Sequence, residues 1–144
     1  MNRKLLLSVV AFIFTLSILN LAAPANATGD YSVGGFDDNA AFERFYDSLR
    51  KTVAQNDKQA TAALFSYPMT INFPPKKKLL LSSKADMVKN YDRIFNPLAK
   101  KALQTTKTSE LFANCQGVMI GSGQIWFVPG EKGGVIIRTV NVGR

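Results

Sequence analysis

Asp92 is the strongest candidate for acid–base chemistry in this sequence. It follows Tyr91 in a segment with helical periodicity and lies at the edge of that segment's apolar face. A carboxylate inside an apolar pocket has a raised pKa that suits proton abstraction, with Tyr46 or Tyr91 as hydrogen-bond donor. The alternative, which we favour, is a structural carboxylate that pairs with Lys89, Arg93 or a strand arginine. We therefore predict no catalytic residue.

Arg138 is unusual because it interrupts an apolar strand. Two-residue alternation places it on one face with Ile136 and Val140. A charge there needs a partner, which an anionic ligand or Asp92 would supply. The favoured alternative is that this face is exposed near the end of the strand, with the arginine stem along apolar surface.

Trp126 and Phe127 alternate in another strand, so they point to opposite faces. Packing is expected for both, and the functional alternative is a tryptophan that lines the mouth of a pocket. The candidate ligand-binding residues are therefore Tyr46, Tyr91, Asp92, Trp126 and Arg138.

The composition excludes several kinds of site. The chain has 144 residues and no histidine, which rules out Ser–His and Cys–His nucleophile pairs and histidine-based zinc sites. No metal and no cofactor is predicted. The single cysteine, Cys115, cannot form a disulfide within the chain. Its apolar neighbours predict a buried, inert thiol, and the alternative is a reactive or intermolecular one.

Lys76, Lys77 and Lys78 are the strongest charge cluster in a chain of formal net charge +8. Such a cluster binds an anionic partner, or it is a solvated hairpin tip whose lysines prevent edge pairing. We favour the hairpin tip. Nucleic acid is not a predicted partner, because the cluster lacks interleaved aromatic residues and a broad basic face.

Residues 1–27 have the pattern of a secretory signal peptide. Arg3 and Lys4 precede the apolar stretch from Leu5 to Leu19, and Ala25-Asn26-Ala27 is a small-residue cleavage pattern. The alternative is an uncleaved membrane anchor, because Leu5 to Ala23 is nearly long enough to cross a bilayer. We predict cleavage, a secreted or periplasmic protein, and no stable anchor afterwards.

The remaining chain is long enough for one domain, at residues 37–144 after a flexible arm at 28–36. Apolar spacings of three and four predict a first helix capped by Asp37 or Asp38 and a second, shorter one capped by Asp57. A third starts at Ser83, which fits a capping box, and kinks or restarts at Asn96-Pro97 with Asn96 as a new cap. Its predicted apolar stripe consists of Met87 or Val88, Tyr91, Ile94 or Phe95, and Leu98. Alternation predicts a hairpin of 69–73 with 79–81, then strands at 110–114, 117–120, 124–128 and 135–142. Turn signals between the last strands predict an antiparallel meander, and the order is α+β.

This order resembles the nuclear transport factor 2-like superfamily, the cystatin-like α+β cone. Short sequence motifs support this resemblance over about residues 37–142. They are Phe45 to Leu49, Asn56-Asp57, Tyr67 to Met69, Tyr91 to Phe95 and Gly123 to Phe127. The chain also resembles the small, secreted bacterial members of this superfamily that lack an assigned activity. The resemblance implies a curled antiparallel sheet of four to six strands wrapped around three N-terminal helices, with a cone-shaped pocket.

The function we expect is non-catalytic binding of a small apolar or amphipathic ligand in the cone. One alternative is a protein-partner binder, such as an inhibitor or immunity-type protein for an exported enzyme. Another is a cofactor-independent acid–base enzyme that uses Asp92 with Tyr46 or Tyr91. The resemblance also implies a homodimer through the open sheet face.

Overall fold

The computed structural model describes residues 29–143, and the predicted signal peptide at 1–27 lies outside them. The described helices are α1 (Asn39–Ala54), α2 (Lys58–Ala63), α3 (Lys84–Ile94) and α4 (Pro97–Thr105). The described strands are β1 (Met69–Phe73), β2 (Lys77–Leu81), β3 (Phe112–Asn114), β4 (Gly117–Ile120), β5 (Ile125–Pro129) and β6 (Val135–Asn141). The predicted α+β class is confirmed.

Side-chain caps begin the helices at the predicted positions. Before each helix, one side chain accepts a hydrogen bond from the backbone N–H three residues later: Asp38, Asp57, Ser83 and Asn96. Each cap satisfies one of the N–H groups that the first helical turn leaves without a partner. At α3 the carboxylate of Asp86 accepts from the N–H of Ser82 at 2.9 Å, so the return half of the capping box is shifted by one residue.

The third predicted helix is two helices, because the chain restarts at Asn96-Pro97. The predicted apolar stripe holds as far as Phe95, which is buried. Leu98, the next predicted member, is exposed, and α4 buries Ala99 and Leu103 instead. The break therefore ends one amphipathic face and starts another.

All six strands form one mixed sheet in the order β2-β1-β6-β5-β4-β3. The predicted antiparallel arrangement is correct for every neighbouring pair except β1 and β6, which are parallel. Turn signals fix the direction only of strands that follow each other closely. Long intervening sequence separates β1 from β6, so no hairpin rule determines how they pair.

The lysine cluster is exposed, as predicted, but only part of it lies at the tip of the hairpin. β2 begins at Lys77, so Lys77 and Lys78 pair with Phe73 and Asn72 instead of lying in the turn. Only Lys76 remains in the turn, with φ at +136°. Strand pairing therefore fixes the backbone of two of the three lysines.

Residues 29–36, predicted as a flexible arm, pack against α1. Tyr31 is 1% exposed, and its ring centroid lies 4.5 Å from that of Phe42. The Tyr31 hydroxyl lies 3.1 Å from Glu43 Oε1 and 3.0 Å from the Thr108 carbonyl oxygen. The glycines around Tyr31 suggested a loose segment, but the two aromatic residues in it, Tyr31 and Phe36, are buried.

The helices and the inner face of the sheet enclose an aromatic core. Phe127 of β5 contacts Phe42 and Tyr46 of α1 edge to face, with centroid distances of 5.5 and 6.0 Å. Tyr91 and Phe95 form a second ring contact at 5.0 Å. Aromatic pairs at these distances add about 0.5–1.5 kcal/mol each to the burial of their surface. The inner face is therefore occupied by packing, and the outer face holds the exposed residues of the sheet.

Candidate functional site

Tyr46 lies wholly within the core. Its hydroxyl donates to the carbonyl oxygen of Thr106 at 3.0 Å, and burial raises the pKa of Tyr46 to about 12. The Arg50 guanidinium, 5.7 Å from the ring centroid, has a smaller opposing effect on that pKa. The side chain is thus a neutral structural donor whose hydrogen bond joins α1 to the end of α4.

Tyr91 is also buried, and its hydroxyl is in an unusual position. Neither this hydroxyl nor that of buried Thr61 has a hydrogen-bond partner within residues 29–143. Burial raises the pKa of Tyr91. The ammonium groups of Lys58 and Lys100 lie 5.5 and 5.6 Å from the Tyr91 ring centroid. The ring is therefore held between helices beneath two cations.

Asp92 is exposed, whereas Tyr46 and Tyr91 are both buried. Its side chain is 74% exposed, and its carboxylate pairs with the ammonium group of Lys58 at 2.7 Å. Consecutive helical residues differ by about 100° in direction, so a buried Tyr91 places Asp92 towards solvent. The structure does not bring Asp92 and a tyrosine hydroxyl into one pocket. The geometry fits the structural ion pair that we favoured, although the partner is Lys58 of α2.

Trp126 and Arg138 lie together on the outer face of the sheet. They line a cleft of about 320 Å³ with Thr139, Asn141 and Gln116. We call this cleft the outer-face groove. Phe127, next to Trp126 in the chain, is buried on the inner face, as alternation predicts. Of the five candidate ligand-binding residues, the structure thus brings only Trp126 and Arg138 into one cleft.

A β-bulge determines the position of Arg138. Trp126 pairs with Thr139 and Phe127 pairs with Ile137, so Arg138 is an extra residue in β6. Ile137 and Val140 both face the core although they are three residues apart. The prediction that Arg138 shares a face with Val140 is therefore wrong, because the bulge resets the two-residue alternation.

Apolar side chains of β3, β4 and β5 lie side by side on the outer face next to the outer-face groove. Strand pairing aligns Phe112 with Met119, Met119 with Trp126, and Trp126 with Thr139. Phe112, at the β3 edge, is 50% exposed, and Leu80, in the edge strand β2, is 62% exposed. Exposed apolar side chains in a continuous row mark interaction surfaces more often than scattered ones do.

Within residues 29–143, Arg138 forms no ion pair. The ion pairs among residues 29–143 are Arg44–Asp38, Arg50–Asp47 and Lys58–Asp92. None of the six described strands contains an aspartate or a glutamate. The sheet therefore presents a tryptophan beside an arginine that the described chain does not neutralise.

Sequence reasoning missed two features. Cys115 is exposed in the turn between β3 and β4, so the predicted buried thiol is wrong. Its apolar neighbours belong to strands, but Cys115 itself lies in the tight turn that joins them.

The second feature is a larger cleft, of about 580 Å³, at the turn between β1 and β2. The Pro-Pro-Lys-Lys-Lys sequence signals that turn, but not its contact with the end of β6.

Within residues 29–143 no group of three or more potential ligands could hold a metal ion. No helix in that range has the length and apolarity needed to cross a bilayer.

Comparison of the chain with protein-family models, curated proteins and solved structures finds no match. Function must therefore be argued from the clefts and surfaces of this structure.

Proposed function

We propose that this chain is a secreted or periplasmic, non-catalytic binding protein whose outer sheet face binds a protein partner. The partner presents an acidic side chain to Arg138 and an apolar surface to Trp126. The observation that carries this proposal is the unneutralised Arg138 beside Trp126 in the outer-face groove. Tryptophan and arginine are enriched among the residues that dominate binding energy at protein interfaces.

The charge distribution favours a different protein over a second copy of this chain. Two outer faces packed together would place Arg138 against strands that contain no carboxylate. A buried charge without a partner weakens an interface. An acidic partner removes that cost and adds a charge-assisted hydrogen bond. A homodimer through this face is therefore the less favourable arrangement.

The core gives less support to a small ligand in an internal pocket. Ring contacts bury the inward aromatic residues of α1 against Phe127 of β5, and Tyr91 of α3 against Phe95. Neither the outer-face groove nor the larger cleft at the turn is lined by Tyr46 or Tyr91. A ligand at the predicted site would have to displace packed aromatic side chains, at a cost of several kcal/mol.

The nuclear transport factor 2-like cone is part of this proposal. It is supported by the order of the elements, in which most helices precede the long strands, and by the short sequence motifs that resemble the family. Export rests on the charged, apolar and small-residue regions at 1–27. A bound partner in that compartment would be an exported protein.

The test is capture from an envelope extract of the source cells with the immobilised protein, followed by titration of the captured partner after purification. We expect Trp126→Ala and Arg138→Gln each to weaken binding at least tenfold. Arg44→Gln is the matched control, because Arg44 is an exposed arginine on α1, outside the outer face. It should change affinity less than twofold.

Two results would overturn the proposal. One is a partner whose affinity falls equally in all three variants. The other is a dimer, measured by light scattering, that Trp126→Ala dissociates, because a second copy would then occupy the face. Unchanged thermal midpoints in the variants exclude misfolding as the cause of lost binding.

A further inference from the structure

The second cleft lies where the β1–β2 turn meets the end of β6. It has a volume of about 580 Å³ and is lined by residues 72–78 and 141–143. We call it the hairpin-end groove. Clefts of roughly 300–1,000 Å³ are the size at which proteins bind small molecules. The groove meets the outer-face groove at Asn141, which lines both.

The β1–β2 turn and the end of β6, which line the groove, are in close contact with each other. Gly143 has φ at +84°, and a Cβ built there would lie 3.2 Å from Cγ of Pro74. Across the parallel β1–β6 pair, Asn72 Nδ2 donates to Asn141 Oδ1 at 2.9 Å, and Asn141 Nδ2 donates to the Gly123 carbonyl oxygen. The side-chain amides therefore tie the strands together beneath the groove.

Part of the lining is apolar and rigid. Phe73, Pro74, Pro75 and Val142 contribute to it, and the Arg93 guanidinium lies 4.8 Å from the Phe73 ring centroid. Proline rings have little conformational freedom to lose when a ligand covers them. These residues form a surface suited to an aliphatic chain.

The rest of the lining is cationic. Lys76, Lys77 and Lys78 line the same groove, and all three are exposed. None forms an ion pair with a carboxylate of residues 29–143. Lys76 adopts φ at +136°, a backbone conformation that favours glycine, and such strain is concentrated at functional sites. Three cations without counter-charges raise the local concentration of anions.

We propose that the hairpin-end groove binds a single small amphipathic anion, with its carboxylate or phosphate head at the three lysines and its aliphatic tail on the apolar lining. This site is separate in function from the protein-binding outer face. A cleft of this volume, lined by a turn and by the end of a strand, suits one molecule better than the flat surface of a bilayer. A nucleic acid would need several stacking aromatic side chains, and Phe73 is the only one in the lining.

The experiment is calorimetric titration of the purified protein with decanoate and with decyl phosphate, each below its micelle concentration. Decanol and decyltrimethylammonium test the need for negative charge, and acetate tests the need for the tail. We expect saturable binding of one or both decyl anions, at least tenfold tighter than that of the neutral, cationic and short ligands. The better of the two anions identifies the head group.

A triple variant, Lys76→Gln, Lys77→Gln and Lys78→Gln, should weaken that binding at least tenfold. The matched control changes Lys51, Lys84 and Lys101 to glutamine, which removes the same charge from exposed positions on α1, α3 and α4. It should change affinity less than twofold. Matching circular dichroism spectra and thermal midpoints show that both variants fold.

Several results would overturn the assignment. They are the absence of saturable binding, an equal loss of affinity in the two triple variants, or acetate binding as tightly as decanoate. Binding to anionic phospholipid vesicles, but not to the monomeric amphiphiles, would identify a membrane-surface patch instead of a groove site.

Discussion

Arg138 owes its exposure to a single inserted residue. Without the bulge, alternation counted back from buried Val140 would place Arg138 inside and Ile137 outside, the reverse of what is observed. Bulges often re-aim side chains next to functional sites. Here the bulge keeps Val140 in the core and directs Arg138 to the outer-face groove, which contains Trp126.

Tyr46 should make the stability of the protein sensitive to alkaline pH. Burial raises its pKa from 10.0 to about 12 in the folded state. Between these values the unfolded chain has lost the Tyr46 proton and the folded chain keeps it. Because the unfolded state then binds fewer protons, the free energy of unfolding falls as pH rises. The stabilisation is complete below pH 10 and is lost as pH rises towards 12.

Tyr46→Phe should therefore reduce the slope of unfolding free energy against pH in that window. At neutral pH it should cost about 1 kcal/mol, because the Thr106 carbonyl loses its donor. Urea unfolding at a series of pH values measures both effects. If the slopes of the variant and the parent protein coincide, Tyr46 is not the group responsible.

At the scale of elements, the pairing of β4 with β5 requires glycine at position 117, because there is no room for a side chain. Gly117 has φ at +128°, and a Cβ there would overlap the carbonyl oxygen of Phe127. Gly117→Ala should therefore cost more than about 3 kcal/mol of unfolding free energy, through backbone strain and lost strand pairing.

Gly133→Ala is the matched control for that prediction. Gly133 also has positive φ, at +76°, but a Cβ there would meet no atom within 4 Å. Gly133→Ala should reduce the free energy of unfolding only by the cost of placing alanine in a left-handed conformation, about 1–2 kcal/mol. Urea unfolding of both variants measures the difference, and equal losses would show that the overlap at Phe127 relaxes without cost.

Local rules in the sequence predict most elements but not their assembly. Asp57, Ser83 and Asn96 were identified as caps because capping is decided within one helical turn. The direction of β6 relative to β1 and the bulge at Arg138 depend on residues far apart in the chain. For the candidate site, Trp126 and Arg138 were identified individually, but their shared groove requires the register of β5 and β6.

At the scale of the whole molecule, the segment before α1 is part of the core. Phe36 packs 4.8 Å from the Phe42 ring centroid, and the Tyr31 N–H donates to Asn39 Oδ1 at 3.0 Å. Tyr31 also lies against Thr108, which ties the start of the described chain to the turn before β3. Residues 29–36 therefore close one end of the fold.

A protein that lacks residues 1–36 should be less stable than one that lacks residues 1–27. The loss should be at least about 3 kcal/mol, because two buried aromatic side chains are removed. Val33→Ala is a control within the same segment and should have little effect, because Val33 is exposed. Chemical unfolding of the three proteins measures this, and equal stability of the two truncated proteins would contradict it.

β6 lies between β1 and β5 although it follows both in sequence. Until residues 135–141 leave the ribosome, β1–β2 and β3–β5 are two unconnected pieces of sheet, each with an open hydrogen-bonding edge. Joining them is a non-local event, which is slow compared with the closing of hairpins. Through most of its translation the polypeptide thus lacks the central strand of its sheet, and the fold is completed only when the last part of the domain has been synthesised.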